Sequence, residues 1–148
     1  MARGYPDFFG FSVFPQYGPF QVQVAAGVNC PNGATTQVIT IAGKGATYGG
    51  YLHLSIAQLV KNQMSVDLDL DGNVFTQDIP GPGVIYYNDR QFMRFLRLFE
   101  YSWDGATSIA AYEIAKDFTF GVNLTISVTN NNGIALTAQS NIWWAQVV

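Results

Sequence analysis

The sequence predicts an all-β chain: an antiparallel β-sandwich of jelly-roll type, with an extended N-terminal arm and one short helix. Three observations predict it. Apolar residues recur at every second position in several short runs, as in Val122, Leu124, Ile126 and Val128 alternating with Asn123, Thr125, Ser127 and Thr129, which is the period of a half-buried strand. Turn-forming clusters separate these runs at short intervals, at Asn29-Cys30-Pro31-Asn32-Gly33, Asp71-Gly72, Asp104-Gly105 and Asn130-Asn131-Asn132-Gly133. Only one segment carries a clear helical period. About eight strands with one short helix make a sandwich; an immunoglobulin-like strand order is the alternative, and strand count alone does not separate the two.

Taken in order, residues 1–19 read as an arm and residues 20–148 as the sandwich domain. In the arm Tyr5, Phe8, Phe9, Phe11, Phe14 and Tyr17 are interleaved with Gly4, Pro6, Gly10, Pro15, Gly18 and Pro19. Glycine and proline at that density stop a helix and interrupt a sheet ladder. So many aromatic side chains call for burial, either by wrapping the arm's own domain or by crossing to a neighbouring subunit, and the sequence leaves both open. The first strand follows, with Phe20, Val22 and Val24 alternating with Gln21 and Gln23. Val38-Ile39-Thr40-Ile41 is a β-branched run suited to a strand. Tyr48-Gly49-Gly50-Tyr51-Leu52-His53-Leu54 continues the pattern, its paired glycines indicating a bulge or a tight bend.

The centre of the chain, Met64 to Ile79, has two readings. Met64, Val66, Leu68 and Leu70 alternate with Ser65, Asp67 and Asp69, and Asp71-Gly72 offers the positive-φ pair of a two-residue hairpin turn. Closed there, the hairpin sets Leu68 opposite Phe75 and Val66 opposite Gln77 on the inner face, and Asp67 opposite Thr76 and Ser65 opposite Asp78 on the outer one. Val74 and Gln77 are the misfits. The rival reading is a calcium loop with Asp67, Asp69, Asp71 and Asp78 as ligands, since their spacing follows D-x-D-x-D-G. Such loops are flanked by helices, which Pro80-Gly81-Pro82-Gly83 forbids on one side, so the hairpin is preferred. No cofactor is called for beyond that calcium alternative.

Phe92, Phe95, Leu96 and Phe99 fall at helical spacing behind a cap at Asn88 or Asp89. A short helix is expected within 89–96, passing into a strand through Leu98 and Tyr101, with Arg90, Arg94 and Arg97 on its solvated face. Strands at Ile109–Ile114, Phe118–Phe120, Val122–Val128, Ile134–Ala138 and Ile142–Val148 complete the domain. Val66, Leu68, Phe75, Leu124, Ile126 and Leu136 are expected to share one core.

Charged residues are only 11% of the 148, while aromatics reach 15%, against about 25% charged in an average domain. A sparsely charged, aromatic surface suits a protein that works against other protein surfaces. The net charge of −3 and the lack of a basic run argue against nucleic acid as a partner. No apolar run approaches the ~20 residues of a membrane span, and the N-terminus lacks the apolar core of a signal peptide, so synthesis in the cytoplasm is expected. The single cysteine, Cys30, allows no internal disulfide.

No catalytic set emerges, and the chain is read as not an enzyme. It holds one histidine, His53, and one cysteine, too few for a multi-cysteine zinc site, and no motif marks a Cys–His pair. Phosphate-binding and nucleophile-elbow patterns are absent. Two functions of different classes remain. One is a structural assembly component, carried by the aromatic arm, the low charge and the Asn/Gln/Thr-rich strand faces. The other is a carbohydrate-binding β-sandwich stacking sugars on exposed aromatics, with Trp103, Tyr86 and Tyr87 as candidates. Trp143 and Trp144 are adjacent on a strand and must point to opposite faces, so at least one of them belongs to the core.

The opening Gly4-Tyr5-Pro6-Asp7-Phe8-Phe9-Gly10 with Phe14-Pro15-Gln16-Tyr17-Gly18, followed by a compact β-sandwich, resembles small jelly-roll virion proteins of tailed bacteriophages. These decorate capsids or form adaptor parts of the tail. The resemblance spans the layout of the chain and no individual functional residue. It implies a non-enzymatic particle component located in the virion, contacting major capsid or tail proteins and other copies of itself, with a homotrimer as the first expectation.

Overall fold

The computed structural model describes residues 16–57, 64–79, 95–103 and 106–148. They form ten strands: β1 (Tyr17–Cys30), β2 (Ala34–Ala42), β3 (Gly45–Ile56), β4 (Met64–Leu70), β5 (Asn73–Ile79), β6 (Leu96–Trp103), β7 (Ser108–Ile114), β8 (Thr119–Phe120), β9 (Asn123–Asn130) and β10 (Leu136–Val147). Sheet A has the order β1-β10-β3-β7-β6, with the short β8 also paired to β3, and sheet B has the order β2-β9-β4-β5. Every pairing is antiparallel.

Strand alternation makes the core. In sheet B, Val66, Leu68, Leu124, Ile126, Val128 and Ile41 point inward; in sheet A, Leu52, Leu54, Ile114, Leu136, Ala138 and Ile142 do, and all join one buried cluster. Each Val, Leu and Ile side chain among them contributes about 1.5–3 kcal/mol by leaving water. Trp144 is buried with this cluster, while Trp143 is half-exposed on the opposite side of β10, as adjacent strand positions require.

The central stretch forms the hairpin, in the register the alternation predicts: Leu68 opposite Phe75, Val66 opposite Gln77, Asp67 opposite Thr76 and Ser65 opposite Asp78. Asp71 and Gly72 both take positive φ, 57° and 89°, as this two-residue turn demands. One expectation fails here. Phe75 is 47% exposed rather than in the core, since it sits on the edge strand β5 while its rung partner Leu68, on the inner strand β4, is buried. Gln77, a misfit in the sequence, is buried for a polar reason. Its Oε1 accepts from the backbone N–H groups of Phe95 (3.3 Å) and Leu96 (3.1 Å), and its Nε2 donates to the Leu96 carbonyl (3.0 Å). The edge of sheet B is thereby tied to the start of β6, at the edge of sheet A.

Other boundaries also move. Tyr17 opens β1 opposite Val147, so the arm gives way to strand before residue 20. The helix expected within 89–96 falls outside the described residues except for Phe95 and Leu96, which are not helical; Leu96 already belongs to β6. The two last runs join into a single strand, β10. The paired glycines do mark a bulge: β3 and β10 shift register beside Tyr48, Gly49 has φ 115°, and a Cβ on Gly50 would collide with the Asn141 carbonyl. Among the described residues no helix is long and apolar enough to cross a membrane.

Candidate interaction face

The outer face of sheet A gathers most of the exposed apolar side chains. Tyr51 on β3 sits at the centre because β3 turns Leu52, Leu54 and Ile56 inward and Tyr51, His53 and Ser55 outward. The registers then place Val24, Asn141, Tyr51, Glu113 and Arg97 on one rung across five strands. Trp143 stands one step along β10, opposite Val22. Tyr51 packs edge-on against Trp143 with ring centres 5.5 Å apart, and at 5.7 Å against Phe99 of β6. The bulge beside Gly49 turns Tyr48 to meet Phe20 edge-on at 4.3 Å. Phe20, Phe99 and Val24 are each about 60% exposed or more, at 67%, 60% and 61%. An Arg97–Glu113 ion pair of 2.7 Å, exposed on both sides, borders the aromatic group and adds little stability.

Over the middle of β10 this face dips into a cleft of about 230 Å³ lined by Val24, Ala25, Tyr51, His53, Gln139 and Asn141. Its wall is β1, which bulges between Ala25 and Val28 with Gly27 at φ 71°. Among the described residues, no intrachain hydrogen bond engages the side chains of His53, Gln139 or Asn141.

The outer face of sheet B is different. Thr35 and Thr129 hydroxyls lie 2.7 Å apart, Thr40 and Thr125 hydroxyls 3.0 Å apart, and Thr76 donates to the Asp67 carboxylate at 2.6 Å. Asp69 accepts from the Gly72 N–H at 2.7 Å. Asp71 reaches away from its hairpin and accepts three backbone N–H groups: Gly121 (2.6 Å), Val122 (2.7 Å) and Asn123 (2.9 Å). Those bonds, Gly121 first, hold its carboxyl below the usual carboxylate range.

The four aspartates of the calcium reading therefore have separate protein partners or stand apart. Among the described residues no group of three or more His, Cys, Asp or Glu side chains is placed to hold a metal ion. The stretch Met64–Ile79 forms the hairpin. His53 and Cys30 lie on opposite faces of sheet A: His53 is exposed beside Gln139, while Cys30 is buried in the core beside Leu136. Burial pushes the Cys30 thiol up, away from reactivity.

Of the other residues singled out in the sequence, Tyr5, Phe8, Phe9, Phe11, Phe14, Tyr86 and Tyr87 lie outside the described residues, as do Arg90 and Arg94. Trp103 closes β6 opposite Ser108, several rungs from the Tyr51 cluster. Tyr48, Tyr51 and Phe99 were not candidates. The alternation of Tyr51 with Leu52 and Leu54 is the signal that marks it as outward-facing; Tyr48 depends on the bulge, and Phe99 was absorbed by the helical period. No protein-family model matches the chain, and no curated protein is significantly similar to it.

Proposed function

We propose that this chain is a non-enzymatic, jelly-roll structural component of a virus particle, a homo-oligomer that stabilises a shell or tail assembly through the outer face of sheet A and its N-terminal arm. The strand order supports the jelly-roll reading. Four antiparallel pairs nest inside one another, β1–β10, β2–β9, β3–β7 and β4–β5, and alternate between sheets A and B, as a long ribbon does when rolled into a sandwich. The topology itself names no function.

The observation that carries the functional reading is the exposed aromatic group Phe20, Tyr48, Tyr51, Phe99 and Trp143 on one outer face of a domain whose opposite face is polar. Exposed apolar groups gathered on one face mark a contact surface, and Tyr, Trp and Phe are the side chains that interface cores favour. Sedimentation analysis of the full chain and of a form lacking residues 1–15 tests the reading. The full chain is expected to be oligomeric, and the truncated one to lose assembly more than thermal stability. Two well-behaved monomers would overturn it.

A second reading, glycan recognition, has one observation in its favour: the cleft beside Tyr51, where His53, Gln139 and Asn141 present polar groups with no partner among the described residues. Titration with soluble polysaccharides followed by tryptophan fluorescence tests it. Saturable binding lost in Asn141→Ala would favour this reading, and a flat titration would dismiss it.

A further inference from the structure

We propose that β1 is a dimerisation edge, to which β1 of a second copy adds antiparallel about a two-fold axis at Val22, so that sheet A continues across both protomers. The proposal rests on the homo-oligomer reading above and specifies its contact. Among the described residues β1 and β6 end the path of sheet A, β2 and β5 end that of sheet B, and the two-residue β8 borders β3. An open edge presents unpaired N–H and C=O groups, and proteins guard such edges with charge, proline, bulges or short length. β6 carries Arg97 and Glu100, and β5 carries Asp78. β2 is shorter and turns Val38, Ile39 and Ile41 into the core. β1 is 14 residues long and has no charged residue; its proline and its two bulges lie outside Phe20–Ala25, and between them Phe20, Val22 and Val24 are exposed.

The sequence of that edge suits a copy of itself. Phe20-Gln21-Val22-Gln23-Val24 has the same apolar–amide alternation read in either direction from Val22. Antiparallel pairing centred there sets Phe20 opposite Val24 and Gln21 opposite Gln23. Apolar residues then meet on one face and amides on the other, and no like charges are opposed. The register is also bounded. β1 breaks its ladder with β10 between Tyr17 and Phe20 and again between Ala25 and Val28, so Phe20–Ala25 is the uninterrupted run, and Pro19 just before it has no N–H to give. A two-fold contact of this kind uses the same patch twice and closes at two copies, which distinguishes it from the three-fold ring that the virion-protein resemblance implies. It also joins the two outer faces of sheet A into one wider apolar surface.

Disulfide trapping in the full chain tests this directly. A two-fold at Val22 brings the two Cα atoms to about 4.5–5.5 Å, inside the range a disulfide spans. Val22→Cys is expected to convert most of the protein to a covalent dimer under mild oxidation. Val122→Cys, at a more open site on the β8–β9 turn (70% exposed against 51% for Val22), is expected to stay largely uncrosslinked, and Cys30 is buried out of reach. Val22→Lys is expected to sediment as a monomer with an unchanged melting temperature, since Val22 is half-exposed in the protomer. A wild-type trimer, or Val22→Cys crosslinking no faster than Val122→Cys, would overturn the two-fold edge while leaving an oligomer intact. A monomeric wild type would instead overturn the oligomer reading itself.

Discussion

On the outer face of sheet B, the rung Gln37–Ser127–Asp67–Thr76 crosses four strands as short polar side chains, and the rungs around it bond to one another through Thr35–Thr129 and Thr40–Thr125. On the outer face of sheet A, the rung Val24–Asn141–Tyr51–Glu113–Arg97 crosses five strands with an aromatic at its centre, and beside it three polar side chains have no hydrogen-bond partner among the described residues. The contrast continues inward. Gln77 and Asn130, the buried polar residues of sheet B, are fully engaged; Asn130 donates to the Cys30 and Ile134 carbonyls and accepts from Asn132. In sheet A the buried hydroxyls of Ser108 and Tyr112 have no hydrogen-bond partner. Both sheets show the same period of two, so the difference lies in which side chains fill it. On the outer faces, polar side chains of sheet B bond to one another, while sheet A presents aromatic side chains that an outside surface would cover.

The largest effect that could break this contrast is on assembly. Phe20→Glu places a charge in the aromatic group and opposite Val24 of the second copy in the proposed β1 pairing, and it is expected to weaken self-association by about thirtyfold or more, the size of a hot-spot loss of ~2 kcal/mol. Thr40→Lys, the matching insult on sheet B, is expected to leave sedimentation unchanged. Equal losses from the two would remove the distinction between the faces.

On folding stability rather than assembly, the largest effect is at the clamp that joins the two sheet edges. Gln77→Leu keeps the volume and removes all three hydrogen bonds, leaving the N–H groups of Phe95 and Leu96 and the Leu96 carbonyl unpaired and buried. Stranded groups of this kind cost 1–3 kcal/mol each, and the expected net loss is about 3 kcal/mol in urea unfolding. Stability within ~0.5 kcal/mol of wild type would mean that Gln77 is buried incidentally.

Gln77 also shows how far the sequence was legible. The hairpin register around it followed from alternation and one Asp-Gly turn, because a one-residue slip would turn every core residue outward. The two-sheet class and most strands were readable for the same reason. Gln77 itself looked like an error, since its partners are backbone groups eighteen and nineteen positions away that no local pattern announces. Phe75 reads as core because alternation gives the face but not the strand's place in the sheet, and β5 is an edge strand. The candidate face was legible only in part. Phe20 and the split between Trp143 and Trp144 were visible as strand period, whereas the meeting of Tyr51, Phe99 and Trp143 depends on which strands neighbour one another. Reading 89–96 as a helix hid Phe99 within an apolar stripe.

A smaller effect, of opposite sign, probes the unsatisfied side. The Tyr112 hydroxyl is buried without a partner, and burial drives its pKa far above the ordinary tyrosine value. Tyr112→Phe removes the stranded group and keeps the ring. It is expected to leave stability unchanged or raise it by up to ~1 kcal/mol, measured by thermal unfolding. A clear destabilisation would show that the hydroxyl has a partner after all and would weaken the contrast between the sheets.

The smallest effect belongs to Asp71 and is confined to acid. Its carboxylate accepts from Gly121, Val122 and Asn123 and so pins the β4–β5 hairpin to the turn before β9. These bonds favour the charged form and lower the folded-state pKa below its unfolded value of 3.8. The folded protein therefore binds fewer protons than the unfolded one as pH falls through this range. The contribution is complete above the unfolded pKa and disappears as pH drops through the folded one. Asp71→Asn keeps an oxygen acceptor and a residue that tolerates positive φ, but it cannot titrate. The wild-type melting temperature is expected to fall more steeply than that of the variant between about pH 4.5 and pH 2, with only a slight gap between them at pH 7. Because the carboxylate is open to solvent, the gap should be a modest one, resolved only by comparing full pH series. EDTA or added calcium should move neither curve, since the carboxylate oxygens of Asp71 already hold backbone N–H groups. Parallel pH profiles for the two proteins would mean that the three bonds do not distinguish folded from unfolded carboxylate, and the turn would owe its position to packing alone.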